Sequence, residues 1–288
     1  MIIDFHTHIV PPGIKNNRSK YIDKDPCFAT LYSSPNAKLA TADELIASMD
    51  KEEIDISVVL NYGWTTHELC IETNDYILES IARYPKRLVG FGTVQPRLLK
   101  AALDEIERCA RGGIRGIGEM RPDMQLLDLR DEEVTKPFIE TITKHNLILL
   151  IHASEPVGHE YQGKGSITPD IFYPLITGFP ALNLVCAHWG GGLPFYALMP
   201  EVKKAMNNVF FDTAASPFLY TPQIYNQVIQ ILGADKILFG TDYPLLPPSR
   251  LLKEIKSLNL AEETERLILS GNARRLLGIN GKSDKGKA

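Results

Sequence analysis

The 288-residue sequence predicts an α/β fold, a single-domain (β/α)8 TIM barrel, on three observations. Short apolar runs recur about eight times, and helical patterns separate them, so strands and helices alternate. The runs are apolar on both faces, which is typical of parallel strands covered by helices. No glycine-rich dinucleotide or phosphate-binding motif follows the first strand, which favours a closed barrel over an open doubly wound sheet.

The predicted strands are the apolar runs themselves. They cover residues 1–8, 54–60, 88–94, 114–118, 147–151, 182–187, 208–212 and 236–240. The first helix, over residues 42–52, carries the clearest start signal, because Thr41 and Glu44 have the spacing of a capping box. Further helices are predicted over residues 74–84, 98–110, 131–145, 169–177, 222–232, 249–257, 261–270 and 272–277. Residues 193–206 are predicted to be helical only in part, with a break at Pro200.

The chain is expected to form one domain over residues 1–280, because no linker or shift in composition divides it. Residues 9–41 lack a clear periodicity and are predicted to be a long loop after the first strand. Residues 281–288 are short and polar, and we expect a frayed C-terminal tail.

Composition and charge exclude several classes of protein. Hydrophobic residues make up 44% and charged residues 23% of the chain, and the net charge is −4. A slightly acidic globular chain predicts no nucleic-acid partner and no membrane partner. No apolar run approaches the ~20 residues that cross a bilayer, and the chain begins as a strand and not as a signal peptide. The four cysteines are scattered, which fits a reducing compartment, so we expect a cytoplasmic protein.

The first strand ends in two histidines, His6 and His8, one residue apart. Side chains alternate along a strand, so Asp4, His6 and His8 are predicted to share one face. Two imidazoles aimed at one point can bind one metal ion. A solvated surface pair is the alternative for this motif taken alone.

Other predicted strands also end in polar residues. Glu119 follows the fourth strand, His152 the fifth, His188 the sixth and Asp242 the eighth. The active sites of parallel barrels lie at the C-terminal ends of the strands, so these side chains are expected to meet there. Imidazole and carboxylate groups together suit Zn²⁺ or a similar divalent ion.

The motifs at these strand ends resemble those of the metal-dependent amidohydrolase superfamily, and within it amidohydrolase family 2. They read H-T-H, I-H, A-H-W-G-G-G-L-P and F-G-T-D-Y-P, and the resemblance covers nearly the whole chain. That family contains hydrolases and non-oxidative decarboxylases of the aminocarboxymuconate-semialdehyde and hydroxybenzoate types. The resemblance implies that one metal ion is bound by His6, His8, His152 and Asp242. It implies that His188 binds the ion or hydrogen-bonds its water or the substrate.

These residues predict an enzyme. Bound Zn²⁺ lowers the pKa of its water to about 7, Asp242 would transfer protons, and His188 would polarise a carbonyl oxygen. The leading hypothesis is a metal-dependent hydrolase in which metal-activated water attacks a C–N or C–O bond of a small-molecule substrate. The alternative is a non-oxidative decarboxylase, or carboxy-lyase, acting on a metal-bound small organic acid. A metal-binding protein without turnover is disfavoured by the complete ligand set.

The metal ion and the assembly are predicted from the ligand types and from the family resemblance. The ion is expected to be Zn²⁺, with Mn²⁺ or Fe²⁺ as alternatives. Glu119 either binds a second metal ion, which would favour hydrolysis, or pairs with Arg115 or Arg121. The family resemblance suggests a homodimer or a higher homo-oligomer.

The substrate-binding candidates each have an alternative. Arg121 is a candidate for binding a substrate carboxylate, because its guanidinium suits bidentate contacts, and Arg18 is a second such arginine. The polar loop over residues 153–168 would bring three more candidates to the pocket, or else be solvated: His159, Tyr161 and Lys164. Trp189 either forms a wall of the pocket or packs between barrel and helix.

Overall fold

Eight parallel strands, hydrogen-bonded in chain order, form the sheet of the computed structural model, which describes residues 1–279. The segment after the eighth strand lies beside the first: the amide of Phe5 donates to Phe239 O at 2.7 Å and that of Asp242 to His6 O at 2.8 Å. The prediction of a (β/α)8 barrel is confirmed. The strands are β1 Ile3–His8, β2 Ile56–Leu60, β3 Leu88–Gly92, β4 Gly116–Met120, β5 Ile148–Ile151, β6 Leu184–Cys186, β7 Val209–Asp212 and β8 Ile237–Leu238.

Helices cover the outside of the barrel and the connections between its strands. They are α1 Pro12–Asn16, α2 Arg18–Ile22, α3 Pro26–Tyr32, α4 Ala42–Glu52, α5 His67–Arg83, α6 Leu99–Arg111, α7 Glu132–Lys144, α8 Pro169–Gly178, α9 Pro200–Ala205, α10 Ser216–Leu219, α11 Gln223–Leu232, α12 Pro248–Ser257, α13 Glu262–Arg266 and α14 Asn272–Leu277. The predicted tail, 281–288, lies outside the described residues. Within residues 1–279, no helix combines the length and the apolar composition that crossing a membrane requires.

The capping box of α4 is confirmed. The Thr41 hydroxyl accepts from the amide of Glu44, and the Glu44 carboxylate accepts from the amide of Thr41 at 2.8 Å. Two amides at the start of the helix thereby gain hydrogen-bond acceptors. Both acceptors lie within four residues of sequence, so the start of the helix could be predicted from the sequence alone.

The segment predicted as a long loop contains three short helices, α1 to α3. Each has only five to seven residues, too few for an apolar periodicity to show. Asp25 anchors the segment, because its buried carboxylate accepts from the amide of Phe28 at 2.9 Å and from the hydroxyl of Thr65 at 2.7 Å. Phe28 and Tyr32 pack into an apolar cluster with Trp64, which follows β2. The segment that contains α1 to α3 therefore packs against the barrel.

Residues 193–206 are α-helical only in part, as predicted, although Pro200 begins the helix and does not break it. His188–Leu198 is a tight non-α segment, and α9 begins only at Pro200. From His188 to Gly192 every residue has a positive φ, which places five consecutive residues in the left-handed region. The Gly190–Gly192 run suits this conformation because glycine has no Cβ to oppose it.

Gly191→Ala is expected to lower the free energy of unfolding by at least ~2 kcal/mol. A Cβ atom at this position would lie 2.3 Å from the backbone oxygen of Ser154, and the φ of +59° is itself unfavourable for alanine. Urea denaturation would measure the loss. Gly13→Ala is the matched control, since a Cβ there meets nothing within 4 Å. Equal midpoints for the two variants would contradict the expectation.

Apolar side chains fill the barrel interior away from the C-terminal strand ends. Phe5 of β1 and Phe91 of β3 meet edge to face with their ring centroids 5.9 Å apart. Ala273 and Leu277 of α14 belong to the same buried cluster. The cluster leaves the C-terminal ends of the strands to polar side chains.

Candidate active site

Six potential metal-binding side chains converge at the C-terminal mouth of the barrel. They lie within or up to four residues beyond β1, β4, β5, β6 and β8, and they are His6, His8, Glu119, His152, His188 and Asp242. Within residues 1–279 they form three overlapping groups whose ligand atoms lie within 4.8 Å of one another: His6, His8 and Glu119; His6, His188 and Asp242; Glu119, His152 and His188. The structure therefore brings together every metal-ligand candidate that the sequence predicts.

Two irregularities in the sheet shape this cluster. The register between β1 and β2 shifts between Asp4 and Thr7, and that between β4 and β5 shifts between Ile117 and Met120. Such bulges change the direction of side chains at barrel rims, and here the two shifted intervals contain His6 and Glu119. Strict alternation from Asp4 to His6 is therefore wrong. Asp4 instead accepts from the hydroxyl of Thr241 at 2.6 Å and lies outside the donor cluster.

Glu119 lies among the imidazoles. Its Oε1 is 2.8 Å from His152 Nδ1 and 3.2 Å from His188 Nε2, and its Oε2 is 3.5 Å from His8 Nε2. Burial opposes ionisation, but the neighbouring His152, His188 and His6 hold the pKa of Glu119 well below its usual value. Within the described residues, Glu119 forms no ion pair with Arg115 or Arg121, so that interpretation of it is wrong.

His6 and His8 point their Nε2 atoms at each other across 3.1 Å. The other nitrogen of His6 donates to Asp212 Oδ2 at 2.8 Å, whereas Nδ1 of His8 is buried without a partner. The His8 ring stacks on Tyr62, with centroids 4.7 Å apart. About 3 Å is the separation of neighbouring ligand atoms around a cation bound at ~2.1 Å, so this pair fits a metal ion.

His152 is also suited to ligation. Burial, with Arg121 nearby, lowers its pKa to about 4, and only a neutral imidazole binds metal. Its Nδ1 faces the ionised Glu119 carboxylate at 2.8 Å, so that nitrogen carries the ring hydrogen. Its Nε2, 3.2 Å from the Ser154 hydroxyl, then accepts from that hydroxyl and is the nitrogen with a lone pair.

His188 is held by its backbone as well as by its ring. It has a φ of 55°, and its amide donates to Asp212 Oδ1 at 2.9 Å. Its Nδ1 donates to the backbone oxygen of Ala214 at 3.0 Å, so Nε2 faces Glu119. Burial lowers the pKa of His188, but Glu119 and Asp242 outweigh it and raise the pKa to about 9.

Asp212 was missed by sequence reasoning. It is fully buried at the end of β7 and contacts both His6 and His188. The signal was present, because Asp212 is the polar residue that closes an apolar run, as Glu119 does for β4. Tyr32 was also missed. Its hydroxyl donates to that of Tyr62 at 2.8 Å, and it belongs to the segment without periodicity.

A cavity of about 500 Å³ opens above the donor cluster. His8, Glu119, His152, His188 and Asp242 line it on the barrel side. The rest of the wall combines aromatic, apolar and cationic side chains, including Tyr32, Tyr62, Leu31, Phe218, Leu219 and Arg121. A small molecule in this cavity would contact the donor cluster directly.

Arg121 is placed as a substrate-binding residue would be. Its side chain is 3% exposed, yet it lines the cavity. Nε and Nη2 pair with Asp123 at 3.3 and 3.1 Å, which leaves Nη1 without a described partner. His159 and Tyr161 also line the cavity, whereas Arg18 is bound to backbone oxygens of residues 34–37 outside it.

Two substrate-binding predictions are wrong. Trp189 is fully buried away from the cavity, where its Nε1 donates to Ser216 Oγ at 2.9 Å and its ring packs edge to face on Tyr225. Lys164 directs its ammonium at Glu160 and at the backbone oxygen of His159, and it does not line the cavity. Each residue is close in sequence to the site, but the local backbone turns its side chain elsewhere.

Comparison with known proteins supports the predicted family. The amidohydrolase family model matches residues 3–279. The 2-amino-3-carboxymuconate-6-semialdehyde decarboxylase of Dictyostelium discoideum is 23% identical over 339 residues, covering 96% of this chain and 92% of the relative. A gamma-resorcylate decarboxylase from a Polaromonas species is 23% identical over 254 residues, covering 74% of this chain and 77% of the relative.

A solved structure has the same fold. The 5-carboxyvanillate decarboxylase of Novosphingobium aromaticivorans, complexed with manganese and 4-hydroxy-3-methoxy-5-nitrobenzoic acid, aligns with a TM-score of 0.80 at 20% identity, covering 97% of this chain and 96% of that one. These relatives are decarboxylases by name, so they lend no support to the leading hypothesis of hydrolysis. The match of the family model across the described chain is decisive: this protein belongs to the amidohydrolase family.

Proposed function

We propose that this protein is a metal-dependent, non-oxidative decarboxylase of a small aromatic or similarly conjugated carboxylic acid. One observation carries the proposal: a single cavity joins the donor cluster, a buried guanidinium and aromatic walls. The names of the relatives support it, because they act on conjugated acids by removing CO₂.

In this proposal one divalent ion is bound by His6, His8, His152 and Asp242, with Glu119 and His188 within reach. His6, Glu119 and His188 each belong to two of the three overlapping donor groups. This overlap favours one ion over two separate sites. The donors suit Zn²⁺ and Mn²⁺ alike, and the manganese in the solved relative favours Mn²⁺. When bound, such an ion supplies Lewis-acid polarisation of substrate oxygen atoms.

The rest of the cavity would orient the acid. Arg121 is proposed to bind a substrate carboxylate through its free Nη1, because a buried guanidinium is a strong, directional anion ligand. Tyr62, Phe218 and Leu219 supply faces on which a planar conjugated body packs. His159 and Tyr161 contribute polar atoms at the loop side of the same cavity.

Decarboxylation needs a proton but no attacking water. The bond between the carboxyl carbon and the substrate carbon breaks, CO₂ leaves, and the electron pair stays on the substrate carbon. A proton must then reach that carbon. Asp242 is proposed to deliver it, since its partly buried carboxyl lines the cavity with Oδ1 3.5 Å from His8 Nε2. His188, with its raised pKa, would stabilise the negative charge that develops.

Product analysis tests the proposal. Mn²⁺-loaded protein is incubated with a panel of hydroxybenzoic acids and conjugated dicarboxylic acids carrying ¹³C at the carboxyl group. Release of ¹³CO₂, with one solvent deuterium placed on the carbon that lost it, is expected. Release of ammonia or an alcohol from amide or ester substrates, without ¹³CO₂, would instead favour the hydrolase hypothesis.

Arg121→Lys is expected to raise KM for the acid on the order of 10- to 100-fold, with a smaller change in kcat. Lysine keeps the positive charge but loses the planar fork that serves Asp123 and the substrate together. Steady-state kinetics would measure both constants. Lys164→Met is the matched control, since it removes a cation that lies nearby but does not line the cavity. An unchanged KM in Arg121→Lys would remove Arg121 from the binding site.

A further inference from the structure

Asp212 is a fully buried carboxylate with no contact to the cavity among the described residues. It accepts three hydrogen bonds, and each of its oxygens has a different task. Oδ2 accepts from His6 Nδ1 at 2.8 Å. Oδ1 accepts from the amides of His188 at 2.9 Å and Ala214 at 3.1 Å. The carboxylate therefore joins the end of β7 to a side chain of β1 and to the backbone that follows β6 and β7.

The contact between Asp212 Oδ2 and His6 Nδ1 determines which nitrogen of His6 carries the hydrogen. An ionised carboxylate only accepts, so the nitrogen that faces it must carry hydrogen. Asp212 accepts at both of its oxygens, because two backbone amides donate to Oδ1 and Oδ2 lies 2.8 Å from His6 Nδ1. With Nδ1 protonated, Nε2 is the nitrogen whose lone pair can bind an ion, and Nε2 faces His8 and Glu119.

His8 offers a contrast within the same motif. Its Nδ1 has no hydrogen-bond partner in the described part of the chain, so no acceptor holds a proton on that nitrogen. Of the two histidines on β1, His6 alone has a carboxylate on its far side.

We propose that Asp212 is a positioning residue that holds the proton on Nδ1 of His6, so that Nε2 is ready to bind the metal ion, while its second oxygen holds the backbone that presents His188. The inference rests on the metal site of the proposed function. Asp212 itself contacts neither the proposed ligand atoms nor the cavity among the described residues.

Asp212→Asn separates this role from simple packing, because the two side chains have nearly the same shape. Two backbone amides need an acceptor, so the amide oxygen of the variant takes the place of Oδ1. Its NH₂ group then faces His6 and donates to Nδ1. That nitrogen must give up its hydrogen, and the hydrogen moves to Nε2, where it blocks ligation.

Asp4→Asn is the matched control. Asp4 is equally buried and accepts from the amides of His6 and Thr241 and from the Thr241 hydroxyl. A hydroxyl can reverse its role and accept from the new NH₂ group, so no ring nitrogen is forced to change. The control therefore replaces a buried carboxyl group near the same histidine without the proposed effect.

The experiment is ¹⁵N NMR of histidine-labelled, metal-free protein, with His6 assigned by its loss in His6→Gln. In the wild type, Nδ1 of His6 is expected to carry a proton, whether the ring is neutral or charged. In Asp212→Asn that proton is expected to be absent, and in Asp4→Asn present. Separately, Mn²⁺ affinity measured by electron paramagnetic resonance is expected to fall on the order of 10- to 100-fold in Asp212→Asn.

An unprotonated Nδ1 in the wild type would overturn the inference even if the variant failed to fold. So would a proton retained on Nδ1 in Asp212→Asn, or a lost proton with unchanged Mn²⁺ affinity. Wild-type protein that binds no Mn²⁺ would contradict the metal site of the proposed function and the link to it, while the proton position on His6 would still be decided.

Discussion

Replacing Asp242 with asparagine is expected to lower kcat for decarboxylation on the order of 100-fold or more while the barrel stays folded. Asparagine has nearly the same shape but cannot deliver a proton to the carbon that loses CO₂. The backbone at Asp242 has a φ of 64°, a conformation that asparagine adopts as readily as aspartate, so the fold should tolerate the change. Single-turnover and steady-state rates on the acid identified by product analysis would measure the loss.

A second effect of the same substitution must be separated from the first. Asp242 is also a proposed metal ligand, and an amide oxygen binds a divalent ion more weakly than a carboxylate. The rate is therefore measured at saturating Mn²⁺, with metal content determined in parallel. Asp104→Asn, which removes an exposed carboxylate on α6, is the control for charge alone. Near-normal kcat at full metal occupancy would show that another group supplies the proton.

The barrel was predictable because its alternating apolar strand patterns and amphipathic helix patterns are each local in the sequence. Boundaries were less predictable. The eighth strand shrinks to Ile237–Leu238, and the residues after it follow β1 through hydrogen bonds such as that from Asp242 to His6. No local sequence pattern indicates that the residues after β8 form hydrogen bonds with β1.

The candidate site was predictable where side-chain direction follows from a regular strand. His6 and His8 lie together because alternation holds between them, and it fails at Asp4 because the register shifts. Trp189 was misplaced for a related reason: five consecutive left-handed residues turn its ring towards Tyr225. Asp212 shows the opposite case, since its position at a strand end was visible but its partners come from strands far apart in sequence.

Removing the ion is expected to abolish turnover and to lower thermal stability, and Mn²⁺ is expected to restore both. Four imidazoles and two carboxylates meet at the barrel mouth, and an ion that binds only this folded arrangement stabilises it by mass action. At 100-fold excess over Kd the gain is about 2.7 kcal/mol, which corresponds to a rise in Tm of roughly 4–5 °C for a domain of this size.

The matched control for metal removal is a variant that lacks a proposed ligand but keeps the barrel. In His8→Gln the Tm of the chelated protein is expected to stay near that of the chelated wild type, while the increment on adding Mn²⁺ disappears. His8 suits this role because its Nδ1 makes no hydrogen bond whose loss would complicate the comparison. If chelation changed neither turnover nor Tm in the wild type, the cluster would not be a metal site. In that case its four histidines and two carboxylates would have to act on the substrate directly, through proton transfer and hydrogen bonds alone.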